Sequence, residues 1–332
     1  MSAALPRVSV CLLTYNRAHL LSQTLDSLLG QSHSDFDLII NDDRSTDDTE
    51  KVCREYARRD QRVSYLKNPR NLGYAGNQNA AILRATTDYV AIVHDGDVYR
   101  RDLIEKWTRA LVEHPSAAFV FNALEAMDQE GRVRRVYRHP YGSHVRGIDL
   151  FDEMIHRPDS PIFGIVMVRR SCVESVGPFD HRFRVLADVD MWLRLLLRYD
   201  AAYIAEPLLR IAPREANHRN NSTNWTVRRE HELIYALNTV RRCSGDPLRT
   251  AELRREIEPM LRQVRILALL SCLRHASLRG VLSGLVYSFR HRDFVADASP
   301  DSVHTWKDVA CLLEGPVGGA KVADALKARY VP

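Results

Sequence analysis

Tyr89-Val-Ala-Ile-Val-His-Asp-Gly-Asp97 joins an apolar run to two carboxylates two residues apart. Tyr89 to Val93 is rich in β-branched and aromatic side chains, the signature of a buried strand. Charges at a strand's C-terminal end gain nothing from packing, and in open α/β sheets that edge is where ligands sit. Asp95 and Asp97 could share a hard divalent cation, Mg²⁺ or Mn²⁺, and the cation could grip a diphosphate. Taken alone, the same residues also read as a solvated Asp-Gly turn. The weight therefore falls on what surrounds them.

Upstream, Val8 to Leu13 reads as a strand, and Asn16 can cap a helix whose Leu20, Leu21, Leu25, Leu28 and Leu29 recur at helical spacing until Gly30. Phe36 to Ile40 reads as a second strand ending in Asn41-Asp42-Asp43. Ser45-Thr46-Asp47 opens the next helix, with Glu50 placed to help cap it. Val63 to Leu66 is a short third strand, followed by an Asn/Gly loop and a helix through Ile82 and Leu83. Asp102 to Glu113 is helical again. Downstream, Ala117 to Phe121 and Ile162 to Val168 read as strands and Asp188 to Leu197 as a helix. Strands alternating with helices of about 10–15 residues imply an α/β fold with a mostly parallel central sheet covered on both faces. From Asn224 the pattern is helical, which divides the chain into a first domain over 1–222 and a C-terminal α-helical subdomain over 223–332.

Three loops should then meet at one sheet edge: Thr14-Tyr15-Asn16-Arg17, Asp42-Asp43-Arg44-Ser45-Thr46-Asp47 and Asp95-Gly96-Asp97. An aromatic ring beside a carboxylate can hold a nucleobase by stacking and by accepting from its N–H groups. Each piece also has a plainer reading, Tyr15 as a rim aromatic and Asp42-Asp43 as acids complementing a helix dipole. Their recurrence in order argues for a site.

The composition sets outer bounds. At 332 residues, with 45% hydrophobic and 27% charged side chains, the chain has the makeup of a soluble globular protein with a sizeable core. A net charge of +5 spread along the chain, with few interleaved aromatics, speaks against nucleic-acid binding. Six scattered cysteines without a C-x-x-C pair speak against a zinc site or a disulfide scaffold and point to a reducing cytosol. The N-terminus shows no signal-peptide apolar region, and no apolar stretch approaches the roughly 20 residues that span a bilayer.

The ordered blocks resemble those of the family 2 glycosyltransferases, of the nucleotide-diphospho-sugar transferase fold. Val8 to Asn16 resembles that family's opening strand, Leu25 to Gln31 its first helix, and Leu38 to Thr49 its second strand and nucleoside loop. Asn71-Leu-Gly-Tyr-Ala-Gly-Asn-Gln-Asn79 is similar to its third block. Gly177-Pro-Phe-Asp180 and Ala187-Asp-Val-Asp-Met-Trp-Leu-Arg194 are similar to its acceptor-side block. The resemblance covers residues 7–222. It implies an inverting, metal-dependent transfer from a nucleotide-diphospho-sugar, UDP- or dTDP-linked, to a glycan, lipid-linked or small-molecule acceptor. By match, Tyr15 and Asp43 would bind the base, with Thr14, Asn16, Asp42, Asn71, Gly73, Asn79 and Asp95 completing the nucleotide site. Asp95, Asp97 and His218 would hold the cation, and Asp188 would be the general base with Asp190 orienting the site. The chain departs from the pattern where Gly96 replaces a metal-binding Asp, Gln78 an Arg, and Ala187 a Glu.

Two other classes compete. A nucleotidyltransferase would place a Gly-rich phosphate loop after strand one, where Thr14-Tyr15-Asn16 stands instead. A non-catalytic scaffold on a degenerate transferase fold draws support from Gly96 and Ala187. Arg169-Arg170 reads as a solvated strand end, or else as a contact for an anionic acceptor. Pro259 to Arg292 carries six arginines and no carboxylate, so it could lie on an anionic membrane at the inner face. It could equally pack on the catalytic domain or mediate a homo-oligomer. On an ideal helix Arg274 points away from the arc holding Arg262, Arg265 and Arg279, which favours packing.

Overall fold

The computed structural model describes residues 4–156, 160–181, 183 and 185–213, with residues 234, 238 and 242 as isolated helical positions. Nearly all of these belong to the first of two compact units into which the chain divides, and that unit alone is described. His218 and the segment 223–332, three positions apart, lie outside the described residues, and with them the expectations placed on Pro259 to Arg292.

The elements run β1 (Val8–Thr14), α1 (Ala18–Leu29), β2 (Phe36–Asp42), α2 (Thr49–Arg59), β3 (Val63–Lys67), α3 (Gly73–Arg84), β4 (Tyr89–His94), β5 (Val98–Tyr99) and α4 (Leu103–Glu113). There follow β6 (Ala117–Met127), β7 (Val133–Tyr137), β8 (His144–Val145), α5 (Gly147–His156), β9 (Val166–Arg169), α6 (Arg170–Val176), α7 (Ala187–Leu196) and β10 (Asp200–Ile211). One sheet takes the order β3-β2-β1-β4-β9-β6-β10-β5, with β7 added beside β6 and β8 beside β10.

The first four strands are parallel, as the βαβ rhythm implies. The other half is mixed: β9 runs antiparallel to both β4 and β6, whereas β10 is parallel to β6. The expected sheet is therefore present, widened by antiparallel strands. Helices cover both faces. Alternation along β1 shows why: Val8, Val10 and Leu12 join Leu21, Leu25 and Leu28 of α1 in one core cluster. Cys11, pointing the other way, puts its thiol 3.5 Å from the Ala81 carbonyl of α3. Fully burying one such leucine is worth about 1.5–3 kcal/mol.

Several local expectations are corrected. Asn16 does not cap α1: Arg17 holds that position without a side-chain cap. Asn16 instead accepts from the Thr46 N–H at 2.8 Å, tying the first loop to the second. The second helix starts at Thr49, not at Ser45, and Glu50 turns outward to Arg54 and Lys67. The strand expected over Ile162 to Val168 begins only at Val166. Arg169 and Arg170 are neither solvated nor free for an acceptor. Arg169 donates to the Ala117 carbonyl at 2.9 Å and the Tyr89 hydroxyl at 3.0 Å, and Arg170 is buried against Asp88 and Glu174. No described helix is long and apolar enough to cross a membrane.

Candidate active site

The parallel register aligns the three loops at one edge. Thr14 lies opposite Asp42, and Leu13 lies opposite both Asn41 and His94. The ladder continues one step beyond the strands, with Asp43 N–H to the Thr14 carbonyl at 3.0 Å and Asp95 N–H to the Leu13 carbonyl at 3.3 Å. The only left-handed non-glycine residues among those described are Asn16 (φ 53°) and Arg44 (φ 68°), both on these loops. Such backbone persists only where its surroundings over-determine it, and it clusters at functional sites.

The acids at this edge have different surroundings. Asp42 is fully buried and shapes the loop from within. Its Oδ1 accepts from the Ser45 N–H (2.8 Å) and hydroxyl (2.5 Å), and its Oδ2 from the Tyr65 hydroxyl at 2.6 Å. Asp43 accepts from the Asn68 amide (2.9 Å), the Leu72 N–H (2.8 Å) and the Gly73 N–H (2.9 Å), so it caps the start of α3. Burial raises its pKa against the pull of those three donors. Asn71 donates to the Asp43 carbonyl at 3.1 Å. Tyr15, 47% exposed, stands open beside them. Asn79 is committed elsewhere, its carboxamide closing on both the N–H and the carbonyl of Phe179 at 2.7 and 2.9 Å. It therefore ties α3 to the Gly177–Asp180 turn.

At the end of β4, burial pushes the Asp95 carboxyl up to about 6, although the Thr14 hydroxyl and the Tyr15 N–H both favour its charged form. Gly96 sits at φ 86°, and a Cβ there would come within 3.0 Å of Leu20 Cδ1. No aspartate could take that position without strain. The Thr24 hydroxyl of α1 locks the turn, accepting from the Gly96 N–H at 3.0 Å and donating to the Asp97 carbonyl at 2.9 Å. Tyr99 brackets both polar groups of the His94 backbone at 2.9 Å. Asp97 is 7% exposed, and its Oδ1 accepts from the Ala212 N–H at 3.0 Å.

A desolvated carboxylate beside a second one suits a hard cation with oxygen ligands. No group of three or more His, Cys, Asp or Glu side chains converges among the described residues. Phosphate oxygens and water would have to complete the shell, as is usual for Mg²⁺.

Asp188 enters from the first turn of α7, remote in sequence from that edge. Its Oδ1 accepts from the Val189 N–H at 2.9 Å and its Oδ2 from the Tyr74 hydroxyl at 3.3 Å. The Tyr74 ring meets the His94 ring edge-on at 5.9 Å. All three surround Gly164, where an added Cβ would lie 2.7 Å from Asp188 Oδ2, 3.0 Å from the Tyr74 hydroxyl and 3.4 Å from His94 Cε1. Asp188 is thereby brought beside the residue that precedes Asp95. Asp190 is fully buried and paired with Arg194 at 2.8 Å. Arg194 also donates to the carbonyls of Val176 (2.7 Å) and Pro178 (2.8 Å), so the pair pins α7 to the turn before it.

Sequence reasoning passed over Tyr74, His94, Gly164, Thr24 and Tyr99. Tyr74 stands inside the Asn71–Asn79 block and His94 beside Asp95, so both were within reach. No local pattern marks Gly164, Thr24 or Tyr99.

The sequence model of "Glycosyl transferase family 2" matches residues 9–177. The chain belongs to glycosyltransferase family 2. Among its relatives is TuaG of Bacillus subtilis, a glycosyltransferase provisionally assigned to teichuronic acid biosynthesis, 29% identical over 69% of this chain and 87% of that protein. The GalNAc(5)-diNAcBac-PP-undecaprenol beta-1,3-glucosyltransferase of Campylobacter jejuni is 33% identical over 28% of this chain and 30% of its own length. Among solved structures, Staphylococcus aureus TarS 1-349 in complex with UDP-GlcNAc superposes with a TM-score of 0.58 at 16% identity, covering 97% of this chain and 87% of that one. That likeness agrees with the nucleotide-sugar transferase fold built above. The protein is thus a family 2 glycosyltransferase by sequence, with the sheet edge and α7 carrying its candidate site.

Proposed function

We propose that this family 2 glycosyltransferase moves a sugar from a nucleoside-diphosphate donor, UDP- or dTDP-linked, to an acceptor hydroxyl, with inversion and with Mg²⁺ or Mn²⁺. The observation that carries the reading is the position of Asp188, a helix-borne carboxylate held beside the end of β4 where Asp95 and Asp97 stand. The UDP-GlcNAc complex of TarS supports a uridine donor, and the name of the Campylobacter relative supports a lipid-linked acceptor among the choices.

In this reading Tyr15 stacks on the base. Asp43, whose Oδ2 already accepts from the Gly73 N–H, also accepts from a base N–H, while Thr14, Asn16, Asp42, Asn71 and Gly73 build the cradle around it and Asn79 acts only by tying α3 to the Gly177–Asp180 turn. Asp95 and Asp97 would hold the cation, and His218, outside the described residues, is the proposed third ligand. The ion supplies charge neutralisation to the departing diphosphate. Asp188 takes the proton of the acceptor hydroxyl on its carboxylate as the oxygen attacks from the face opposite the diphosphate. The three described cysteines, all free and buried, fit a reducing compartment such as the cytosol.

A melting screen of UDP, dTDP, GDP and CMP with Mn²⁺ or Mg²⁺, followed by nucleoside-diphosphate release from the matching sugars, tests this. A metal-dependent shift with UDP or dTDP, followed by turnover, is expected. If no nucleoside diphosphate raises the melting temperature, the donor site is refuted.

A further inference from the structure

We infer that Tyr74 is a positioning residue for Asp188, a second arm that fixes the base through its hydroxyl. This rests on the reading of Asp188 as base. The two oxygens of Asp188 are held from different elements, Oδ1 by the Val189 N–H of its own helix and Oδ2 by Tyr74 of α3. One donor leaves a carboxylate free to rotate about its last bond, and two on separate oxygens stop it. The residue before the base is Ala187, which cannot contribute an acidic neighbour. The 3.3 Å length of the Tyr74 contact suits a free enzyme, since catalytic hydrogen bonds are often long until substrate binds.

Two further observations bear on Tyr74. Its backbone is placed by the donor side, because the Leu72 and Gly73 N–H groups just before it are gripped by Asp43 at 2.8 and 2.9 Å. Three consecutive residues thus run from the nucleoside-loop carboxylate to the proposed base. The space in which the contact forms is kept by a glycine: Gly164 has φ 75°, and an added Cβ would clash with Asp188 Oδ2 at 2.7 Å and crowd the Tyr74 hydroxyl at 3.0 Å. A side chain there would strain the backbone and push Asp188 and Tyr74 apart. Misplacing a reacting group by about 1 Å can cost about 10²-fold, and a hydroxyl that steadies one oxygen accounts for a smaller part of that.

The test uses the full chain, with whichever nucleotide-sugar supports wild-type release of nucleoside diphosphate. Tyr74→Phe, Asp188→Asn and the double variant are compared for kcat, donor affinity and melting temperature. Tyr74→Phe is expected to lower kcat about 10-fold with donor affinity unchanged, and less than about 2-fold further in the Asp188→Asn background, because residues that act as a unit are not additive. The same 10-fold loss in both backgrounds overturns the inference, as does undiminished kcat in Tyr74→Phe. Gly164→Ala is expected to copy Tyr74→Phe, losing kcat and keeping nucleotide affinity. The melting cycle needs no substrate: non-additivity of about 2–4 °C is expected for a real contact, and additive melting temperatures also overturn it. Wild-type turnover in Asp188→Asn would instead refute the base, a result distinguishable from either.

Discussion

The proposed donor edge and the proposed acceptor side of this site are built by opposite means. At the donor edge, three parallel strands end in register, and the acids there are held by backbone N–H groups close in space and partly close in sequence: Asp42 by Ser45, Asp43 by Leu72 and Gly73. On the acceptor side, Tyr74, His94, Gly164 and Asp188 come from four distant places and meet around one missing Cβ. The first arrangement is fixed by sheet register, and a point change weakens it locally. The second depends on the antiparallel return of β9 and on α7 staying seated, so small displacements reach the proposed base directly.

The sharpest way to break the acceptor side is to unseat α7. Asp190→Ala leaves Arg194, 5% exposed, without its carboxylate. Removing one partner of a buried pair costs about 3–5 kcal/mol. Urea denaturation of the variant should read a loss in that range, and a change below about 1 kcal/mol would mean that Val176 and Pro178 hold Arg194 unaided.

The donor edge should respond with the opposite sign. Burial raises Asp95 from 3.8 to about 6, so folding favours its protonated form. Below pH 4 both folded and unfolded chains carry the proton and there is no penalty. Through the window from about 4 to 6 wild-type stability falls as the pH rises, and the penalty stays constant above it. Asp95→Asn should therefore become more stable than wild type across that window, levelling at up to about 2–3 kcal/mol near neutrality. Mn²⁺ with UDP should invert the order, because the ion offsets the cost of the buried charge. A gap independent of pH would show that Asp95 is solvated like an ordinary acid.

Tyr15→Ala separates binding from folding. Base–aromatic stacking is worth about 1–3 kcal/mol, so nucleotide affinity should fall about 5- to 150-fold while the melting temperature stays unchanged, since the ring is already half exposed. Equal affinity by calorimetry would remove the ring from the base site.

How much the sequence revealed follows the same division. The strands β1, β2 and β4 are mostly apolar and end in polar clusters, and the shorter, mixed β3 falls in rhythm with them, so both their existence and their shared edge were legible. Their helices were legible as well, but not their caps, because Asn16 spends its side chain across a loop and helix α2 waits until Thr49. The two-residue β5, the exposed β7 and the long β10 gave no clean alternation. Arg169 and Arg170 looked solvated because their partners, Tyr89, Ala117 and Asp88, lie far off in the chain. The contact of Tyr74 with Asp188 spans more than a hundred residues, and nothing local announces it.

In the proposed mechanism Asp188 serves the acceptor and the β4 turn serves the donor. This division is tested most directly by measuring nucleotide binding and turnover together in Asp188→Asn, with Asp97→Ala beside it. The expected result for Asp188→Asn is unchanged metal-dependent nucleotide affinity with turnover down about 10²- to 10⁴-fold, while Asp97→Ala loses the metal-dependent part of binding. Near-normal turnover in Asp188→Asn, or loss of its nucleotide binding, would contradict the account.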